Sequence, residues 1–269
     1  MKRVGIPGAA GRMGRALVAE LASAEDLELS AAAEAPGSAA LGQDAGLVAG
    51  ARPLGVPIGA DLRALVLQAE GVIDFTAPKV TAQLAPLCAE RGLPLVVGTT
   101  GLGSDERALL AHAAERSAVV CAPNMSVGVN VLLRLVADAA RLLGPEYDLE
   151  IVEAHHRHKK DAPSGTALRL AEALAQATCE LGPLSTRLCT GRQGDLPERP
   201  SHQIGVLALR GGDVVGDHTV YYCTEGERVE ITHRASNRRT FARGALRALR
   251  WAAKHPPGLY DMQDVLGLK

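Results

Sequence analysis

Aromatic side chains are scarce in this sequence. Only 3% of the 269 residues are Phe, Trp or Tyr, whereas 47% are hydrophobic. The core must therefore be built mostly from Ala, Leu and Val, which argues against a β-sandwich. The scarcity also argues against a surface for single-stranded nucleic acid, because such surfaces stack bases on aromatic rings.

A strong net charge and a long apolar run are also missing. The formal net charge is −1, so no global basic field attracts nucleic acid or an anionic membrane. No apolar run reaches about 18 residues, and we expect no transmembrane helix. The first residues lack the apolar core of a signal peptide. We therefore expect a cytoplasmic protein with no nucleic-acid or membrane partner.

The cysteines do not occur in metal-binding pairs. There are five of them, and no CxxC motif is present. An odd and dispersed set predicts reduced thiols. We expect no metal site of the cysteine type.

Residues 1–126 alternate short apolar runs with helical periodicity. The runs predict strands at 3–7, 27–33, 71–76, 95–97 and 118–121, with helices at 15–24, 79–91 and 104–116 between them. Such alternation predicts βαβ units and a parallel, doubly wound sheet, which is an α/β fold. The segment 36–60 is rich in Gly and Pro and predicts a loop with one weak strand.

The pattern changes after residue 126. A long helix at 127–143 precedes a strand at 147–153, a helix at 165–178 and strands at 204–210, 216–223 and 227–233. The last two strands are joined by Glu225-Gly226, as in a hairpin. This order predicts an α+β domain with a mostly antiparallel sheet. We predict a first domain of 1–126 and 236–269, and a second of 127–235, with the helix at 240–254 packing back on the first.

A glycine turn follows the first predicted strand. Gly8-Ala9-Ala10-Gly11-Arg12-Met13-Gly14 opens a helix, and Glu34 ends the second strand about 20 residues later. The glycines permit close approach of the backbone to a pyrophosphate, and the acid can bind ribose hydroxyls. This order predicts a Rossmann-type dinucleotide site. The alternatives are an ordinary glycine turn and, for Arg12, a solvated charge instead of a phosphate partner.

Three further turn sequences lie at the C-terminal ends of predicted parallel strands. They are Asp74-Phe75-Thr76, Gly98-Thr99-Thr100-Gly101 and Ala122-Pro123-Asn124-Met125-Ser126. Ligands of open parallel sheets bind at the carboxyl edge of the strands, where these turns meet. Each turn alone could be ordinary turn chemistry, but together they indicate a cofactor groove.

Basic residues are concentrated at 155–160, just before Ser164-Gly165-Thr166 opens a predicted helix. A helix N-terminus beside His and Lys can bind an anion and exchange protons with it. On an extended strand His155 and His156 would point to opposite faces. Ser164 could be a plain N-cap. A solvated charge run and a metal site are alternatives, although Lys159 and Lys160 would repel a cation.

The stretch Glu153-Ala-His155-His156-Arg-His158-Lys159-Lys160-Asp161-Ala-Pro163-Ser164-Gly165-Thr166-Ala167 resembles the signature of the 4-hydroxy-tetrahydrodipicolinate reductase family, also called dihydrodipicolinate reductase. The runs at 8–14, 74–76, 98–101, 124–130, 210–218 and 230–233 match that family in the same order. The resemblance therefore covers essentially the whole chain.

The resemblance implies an NAD(P)H-dependent oxidoreductase of the diaminopimelate route to lysine. Hydride would pass from NADH or NADPH to C4 of a cyclic dicarboxylate, with loss of the 4-hydroxyl as water. The resemblance also implies a homotetramer that assembles through the sheet of the second domain. Two alternatives remain: another NAD(P)-dependent dehydrogenase on the same scaffold, and a non-catalytic nucleotide-binding protein.

The resemblance assigns roles to single residues. His155 matches the family's proton donor and acceptor, and Lys159 its proton donor. The substrate carboxylates would be held by His156, Gly165 and Thr166, with Ser164 beside them. The cofactor contacts would be Gly8, Ala9, Ala10, Gly11, Arg12, Met13, Glu34, Gly98, Thr99, Thr100, Ala122, Pro123, Asn124 and Met125. No residue is assigned to a metal. We expect domain closure to bring His155 and Lys159 to the nicotinamide.

Two positions depart from the family pattern. Many members carry Arg after the acid of the second strand, where this chain has Ala35, and a basic residue after Asp-Phe-Thr, where it has Ala77. Glu34 would repel a 2′-phosphate, although Arg12 could offset this. We therefore predict that NADH is used at least as well as NADPH.

Overall fold

The computed structural model describes residues 2–269, and the chain separates into two compact units. The first unit consists of Met1–Val127 and Arg238–Lys269, and the second of Gly128–Asn237. The boundaries expected from the sequence, after 126 and before 236, differ from these by one and two residues. The first unit is therefore built from two separated parts of the chain.

The first part of this unit alternates strands and helices. Its elements are β1 (Lys2–Pro7), α1 (Arg12–Leu21), β2 (Leu27–Ala33), α2 (Ala45–Val48), β3 (Ile58–Gly59), α3 (Leu62–Gln68), β4 (Gly71–Asp74), α4 (Pro78–Glu90), β5 (Leu95–Val97), α5 (Ser104–Ala113) and β6 (Ala118–Cys121). The predicted α/β alternation is confirmed. The segment expected to be mostly loop also contains the short helix α2, which Asp44 caps by accepting a hydrogen bond from the Leu47 N–H.

The second unit begins with the long helix α6 (Val127–Leu143). Its elements are β7 (Asp148–His155), α7 (Gly165–Ala177), a 3₁₀ turn at Cys179–Leu181, α8 (Leu184–Arg187), β8 (Leu188–Cys189), β9 (Ile204–Arg210), β10 (Gly216–Thr224) and β11 (Glu227–Ala235). The chain then returns to the first unit with α9 (Arg239–Ala252), β12 (Gly258–Tyr260) and α10 (Met262–Leu266). The strand β12 was not expected from the sequence.

The first unit is a seven-stranded sheet in the order β12-β6-β5-β4-β1-β2-β3, and all of its strand pairs are parallel. Both faces are covered, which explains why its strands are apolar without alternation. On β5, Val96 belongs to the core shared with α1 and α9, whereas Leu95 and Val97 belong to the core shared with α3, α4 and α5. The Rossmann-type architecture is therefore confirmed.

The second unit is a five-stranded sheet in the order β11-β10-β7-β9-β8. The predicted hairpin is confirmed, because β10 is antiparallel to β11, and β10 is also antiparallel to β7. The sheet is nevertheless mixed, since β7 and β8 run parallel to β9. The chain between β7 and β9 crosses over through α7, and a crossover of that length returns the next strand in the same direction. The α+β class holds, with two of the four strand pairs antiparallel.

One face of this sheet packs against α6 and α7. Along β7 buried and half-buried positions alternate, and Leu149 and Ile151 share an apolar core with Leu132, Val136 and Leu170. On the opposite face, Arg192 and Arg199 from the segment before β9 bind Glu150 at 2.7 and 2.8 Å. That segment is therefore tied to the sheet by ion pairs.

None of the helices within residues 2–269 is both long enough and apolar enough to span a membrane.

Candidate functional site

The parallel sheet changes its strand order at β1. The chain moves from β1 outward to β2 and β3 on one side, and then crosses to β4 on the other side of β1. Open α/β sheets bind their ligands at this kind of reversal, in the crevice beyond the carboxyl ends of the strands. Here the glycine turn follows β1, and Asp74 ends β4 with Phe75-Thr76 directly after it, so both stretches lie at that crevice.

The glycine turn has the backbone geometry that its glycines permit. Gly8 has φ +66°, which favours glycine. A Cβ on Gly14 would lie 2.0 Å from the Gly8 carbonyl oxygen, so only glycine lets α1 begin this close to the turn. Gly11 is the N-cap of α1. A helix N-terminus that the backbone can approach so closely fits the pyrophosphate of a dinucleotide.

Glu34 lies beside this turn, immediately after β2. Its Oε2 accepts a hydrogen bond from the Ala10 N–H at 3.0 Å, and its Oε1 accepts one from the Ala35 N–H at 3.1 Å. The carboxylate is half-buried and keeps acceptor capacity for further donors, because an ionised carboxylate has about four lone-pair sites. Its position fits the ribose hydroxyls of an adenosine.

The turn after β4 is held by a buried carboxylate. Asp74 is 0% exposed. It accepts hydrogen bonds from the Thr76 N–H at 2.9 Å, the Thr76 hydroxyl at 2.5 Å and the Thr81 hydroxyl at 2.5 Å. The Thr76 N–H also donates to Thr99 Oγ at 3.1 Å. This network joins the carboxyl end of β4 to the predicted cofactor residues that follow β5.

The remaining predicted cofactor residues lie at the same edge but differ in exposure. Ala9, Ala122 and Met125 are buried in the core, so their backbone atoms would have to make any ligand contact. Arg12, Thr100 and Pro123 are exposed. Asn124 caps its own turn, since Asn124 Oδ1 accepts from the Ser126 N–H at 2.9 Å.

A second polar cluster lies at the end of β7. His155 Nδ1 is 2.5 Å from Glu153 Oε2, and Glu153 is 0% exposed. Arg210 binds both oxygens of Glu153, each at 2.8 Å, and the Ser164 N–H donates to Glu153 Oε1 at 3.0 Å. The strand register explains why these side chains come together, because His155 lies opposite Arg210 of β9 and Glu153 lies opposite His218 of β10.

Burial and charge set the protonation of this cluster. Burial lowers the pKa of His155 below its ordinary value, although Glu153 acts in the opposite direction. Burial also lowers the pKa of His218 to about 3. Burial alone would raise the pKa of Glu153, but hydrogen bonds from Arg210 and His155 hold that pKa below its ordinary value. At neutral pH the cluster therefore holds an ionised Glu153 and a neutral His218.

His218 and Gly216 of β10 border the His155 ring. The two imidazoles meet edge to face with their centroids 5.2 Å apart. His218 Nε2 lies 3.2 Å from Ser164 Oγ. A Cβ on Gly216 would be 3.0 Å from His155 Nε2. Because Gly216 has no Cβ, His155 Nε2 is not crowded from that side.

The segment after β7 leads from His155 to α7. Lys159 Nζ binds both carboxylate oxygens of Asp161, at 2.9 and 2.8 Å. Ser164 is the N-cap of α7, and its hydroxyl accepts from the Ala167 N–H at 3.2 Å. Gly165 is exposed and Thr166 is half-buried in the first turn. The positive end of the helix thus lies in the same segment as Lys159.

His156 lies just beyond the end of β7, so the expectation based on strand alternation does not apply to it. The His156 N–H donates to the Val214 carbonyl at 2.7 Å. Its Nδ1 is buried and has no hydrogen-bond partner among the described residues. A buried nitrogen of this kind fits contact with a ligand.

The structure brings together His155, Ser164 and three residues to which the sequence analysis gave no role: Glu153, Arg210 and His218. Glu153 had a detectable signal, since a carboxylate two residues before a histidine on a strand shares its face. Arg210 and His218 stand at the two ends of the run 210–218 that resembles the family, but the strand pattern gave no sign of their contact with β7, because the partners of a strand are not written in its local sequence. Arg157, His158 and Lys160 are exposed. Among residues 2–269, no group of three or more His, Cys, Asp or Glu side chains is arranged to hold a metal ion.

Two family models match the chain. Residues 2–125 match the dihydrodipicolinate reductase N-terminus, and residues 128–266 match the dihydrodipicolinate reductase C-terminus. The 4-hydroxy-tetrahydrodipicolinate reductase of Anaeromyxobacter dehalogenans is 53% identical over 100% of this chain and 99% of its own length. The enzyme of that name from Myxococcus xanthus is 52% identical, with the same coverage.

Solved structures share the fold. A dipicolinate-bound dihydrodipicolinate reductase from Paenisporosarcina sp. TG-14 superposes with a TM-score of 0.75, at 24% identity and 98% coverage of both chains. An amine dehydrogenase from Mycobacterium smegmatis superposes with a TM-score of 0.59 at 13% identity, covering 96% of this chain and 94% of the other. At these identities the likeness concerns the fold alone. The matches to the family models and to the full-length relatives show that the chain belongs to the dihydrodipicolinate reductase family.

Proposed function

We propose that the chain reduces 4-hydroxy-tetrahydrodipicolinate to tetrahydrodipicolinate, with loss of water, in the diaminopimelate route to lysine. The observation that carries the proposal is the arrangement of residues 155–166, in which an imidazole, an ammonium group and a helix N-terminus occupy one segment. The full-length similarity to enzymes of that name supports the choice of reaction. NAD(P)H, when bound, would supply the hydride.

The substrate of this proposal carries two carboxylates. The first turn of α7 offers backbone N–H groups and the positive pole of the helix. The open space beside Gly165, where a Cβ would meet nothing within 4 Å, admits a carboxylate to that turn. The unpartnered Nδ1 of His156 can donate a further hydrogen bond when it carries a ring proton. We assign the carboxylates to His156, Ser164, Gly165 and Thr166.

Proton transfer in this proposal belongs to His155 and Lys159. His155 is buried with its Nδ1 hydrogen-bonded to Glu153, so its other nitrogen exchanges protons. Lys159 is held by Asp161 in this structure. A substrate carboxylate can compete with Asp161 for the ammonium group, because both are carboxylates of similar affinity. Lys159 can then donate a proton to the substrate or stabilise its negative charge.

The dinucleotide is assigned to the glycine turn and the three turns at the same sheet edge. We propose that NADH is used at least as well as NADPH. Glu34 supports this, since a carboxylate beside the ribose binds its hydroxyls and repels a 2′-phosphate. Ala35 supports it too, because it supplies no cation for that phosphate.

We propose a cytoplasmic homotetramer that assembles through the sheet of the second unit. The face of that sheet opposite α6 and α7 carries apolar side chains, and Leu209 on it is 59% exposed. Exposed apolar area of this kind marks interfaces. The five cysteines are free thiols, as in a reducing compartment.

A coupled assay tests the proposed reaction. The purified chain is mixed with NADH and with the freshly made product of pyruvate and aspartate-semialdehyde condensation, and the NADH absorbance is followed. We expect oxidation of NADH that requires the dicarboxylate. NADH binding without oxidation would favour a non-catalytic nucleotide-binding protein. Oxidation with other carbonyl substrates alone would favour a different dehydrogenase on the same scaffold.

A further inference from the structure

We propose that Glu153, held in place by Arg210, is a positioning residue that fixes His155 in one tautomer. In this tautomer the proton sits on Nδ1, and Nε2 is the nitrogen that exchanges a proton with the substrate. The inference rests on the proposed function, in which His155 performs that exchange. The family resemblance assigns no role to either Glu153 or Arg210.

The hydrogen bonds of Glu153 determine which nitrogen of His155 carries the proton. Arg210 donates to both carboxylate oxygens, and the Ser164 N–H donates to Oε1. A carboxylate bound in this way is ionised and can only accept hydrogen bonds. Its remaining neighbour is His155 Nδ1 at 2.5 Å. That nitrogen must therefore be the donor, which leaves the lone pair of the neutral ring on Nε2.

Arg210 makes the position of the carboxylate rigid. Besides its two bonds to Glu153, it donates to the Asp161 carbonyl at 2.7 Å and to the Leu209 carbonyl at 2.7 Å. The guanidinium thus joins the end of β9, the buried carboxylate and the turn before α7. Glu153 adds a second tie to that turn through the Ser164 N–H. The His155 ring and the proposed carboxylate site are consequently aligned by the same ion pair.

Four titratable or charged groups surround the His155 ring, each on a different part of the second unit. They are Glu153 on the same strand, Arg210 on β9, His218 on β10 and Lys159 in the turn. Burial, Lys159 and Arg210 lower the pKa of His155, whereas Glu153 raises it. His218 adds no positive charge at neutral pH, since burial holds its pKa at about 3. Glu153 is therefore the group that favours the imidazolium form.

The variant Glu153→Gln removes this charge with little change in shape. Its amide oxygen can replace Oε1, where Arg210 Nη2 and the Ser164 N–H both require an acceptor, whereas Arg210 Nη1 loses the acceptor that Oε2 provided. The amide nitrogen then faces His155 Nδ1 and donates to it. This arrangement moves the ring proton to Nε2, and it opposes the imidazolium form because two N–H groups would face each other.

Nuclear magnetic resonance of the protein labelled with ¹⁵N in its histidine rings measures the tautomer directly. The His155 signals are identified by their loss in His155→Asn. In the unmodified chain without ligands we expect the neutral ring to carry its proton on Nδ1. In Glu153→Gln we expect the proton on Nε2. A ring that carries its proton on Nε2 in the unmodified chain overturns the proposal, even if the variant does not fold.

The pH dependence of kcat gives a second measurement, which would not change if Glu153 only supported the fold. We expect kcat of Glu153→Gln to fall by about 100-fold or more, with a much smaller change in KM. As the pH rises, His155 loses its proton and kcat falls, which gives the pH profile an alkaline limb. Because the pKa of His155 should be lower in the variant, we expect this limb to move toward acid by about one pH unit or more. An unshifted limb with an unchanged tautomer refutes the positioning role.

Glu150→Gln is the matched control. Glu150 lies on the other face of β7 and, like Glu153, is held by arginine, in its case by Arg192 and Arg199. It should leave the His155 tautomer and the pH limb unchanged, and equal effects of both substitutions would overturn the proposal. If the unmodified chain fails to oxidise NADH, the proposed function fails, while the tautomer measurement still tests the Glu153–His155 contact.

Discussion

Replacement of Glu34 by Gln should shift cofactor preference toward NADPH. The side chain keeps its shape, and the amide oxygen can still accept the hydrogen bond from the Ala10 N–H that Glu34 accepts at 3.0 Å. The glycine turn therefore stays supported, and the main change is the loss of one negative charge. A ribose 2′-phosphate would no longer meet a carboxylate, and a ribose hydroxyl would lose a charged acceptor.

The magnitude follows from the charge and its exposure. Two unit charges about 4 Å apart interact by about 1 kcal/mol in water and about 4 kcal/mol near a protein surface. Because Glu34 is half-buried, we take the repulsion of the phosphate as about 1.5–3 kcal/mol. Since each 1.4 kcal/mol is a factor of ten, the ratio of kcat/KM for NADPH to that for NADH should rise by about 10- to 150-fold.

The assay measures kcat/KM for both cofactors at one low ionic strength, because salt screens the repulsion. Glu28→Gln is the control, since Glu28 is an exposed acid on the same strand β2 and should leave the ratio unchanged. The unmodified chain should use NADH at least as well as NADPH. A preference of about a hundredfold for NADPH in the unmodified chain, or an unchanged ratio in Glu34→Gln, would refute the electrostatic argument.

Three further substitutions test the remaining parts of the site. His155→Ala should lower kcat by about 100-fold or more with a smaller effect on KM, and an unchanged kcat removes His155 from the mechanism. Lys159→Ala should lower kcat and raise KM, whereas the neighbouring Lys160→Ala should change neither, because Lys160 is exposed; similar kinetics of the two variants would contradict the role of Lys159. Gly14→Ala should weaken NADH binding, measured by fluorescence titration, by about tenfold or more, because the new Cβ would lie 2.0 Å from the Gly8 oxygen; binding equal to that of the unmodified chain would exclude this turn as the pyrophosphate site.

The fold of the first unit was largely predictable because its signals are local. Short apolar runs such as Leu95–Val97 are separated by helical periods, and this alternation specifies a parallel sheet before any contact is known. The strand Gly258–Tyr260 escaped prediction for the opposite reason. It has three residues and follows two prolines, and it is a strand only because it pairs with β6.

The polar cluster around His155 could be predicted only in part from the local sequence. His155 and Lys159 were found from their density of charge and from the family resemblance. The pairing of His155 with Arg210 depends on the register between β7 and β9, which brings together residues more than 50 positions apart. The direction of β9 was hidden as well, because the strand pattern of 204–210 is the same in a parallel and an antiparallel neighbour. Only the crossover through α7 decides it.

The division of the first unit into two parts of the chain affects the order in which the units can fold during synthesis. Synthesis completes residues 128–237 before Arg238–Lys269, which supply α9 and β12 to the first unit. The contiguous second unit can fold on the ribosome while the first still lacks the helix that covers one face of β4, β5 and β6. Until β12 arrives, β6 is also an open edge strand, and an open edge beside uncovered apolar surface attracts other chains. We therefore expect the nascent first unit to need protection from other chains until Arg238–Lys269 has been made, and we expect loss of that segment to leave the surface uncovered.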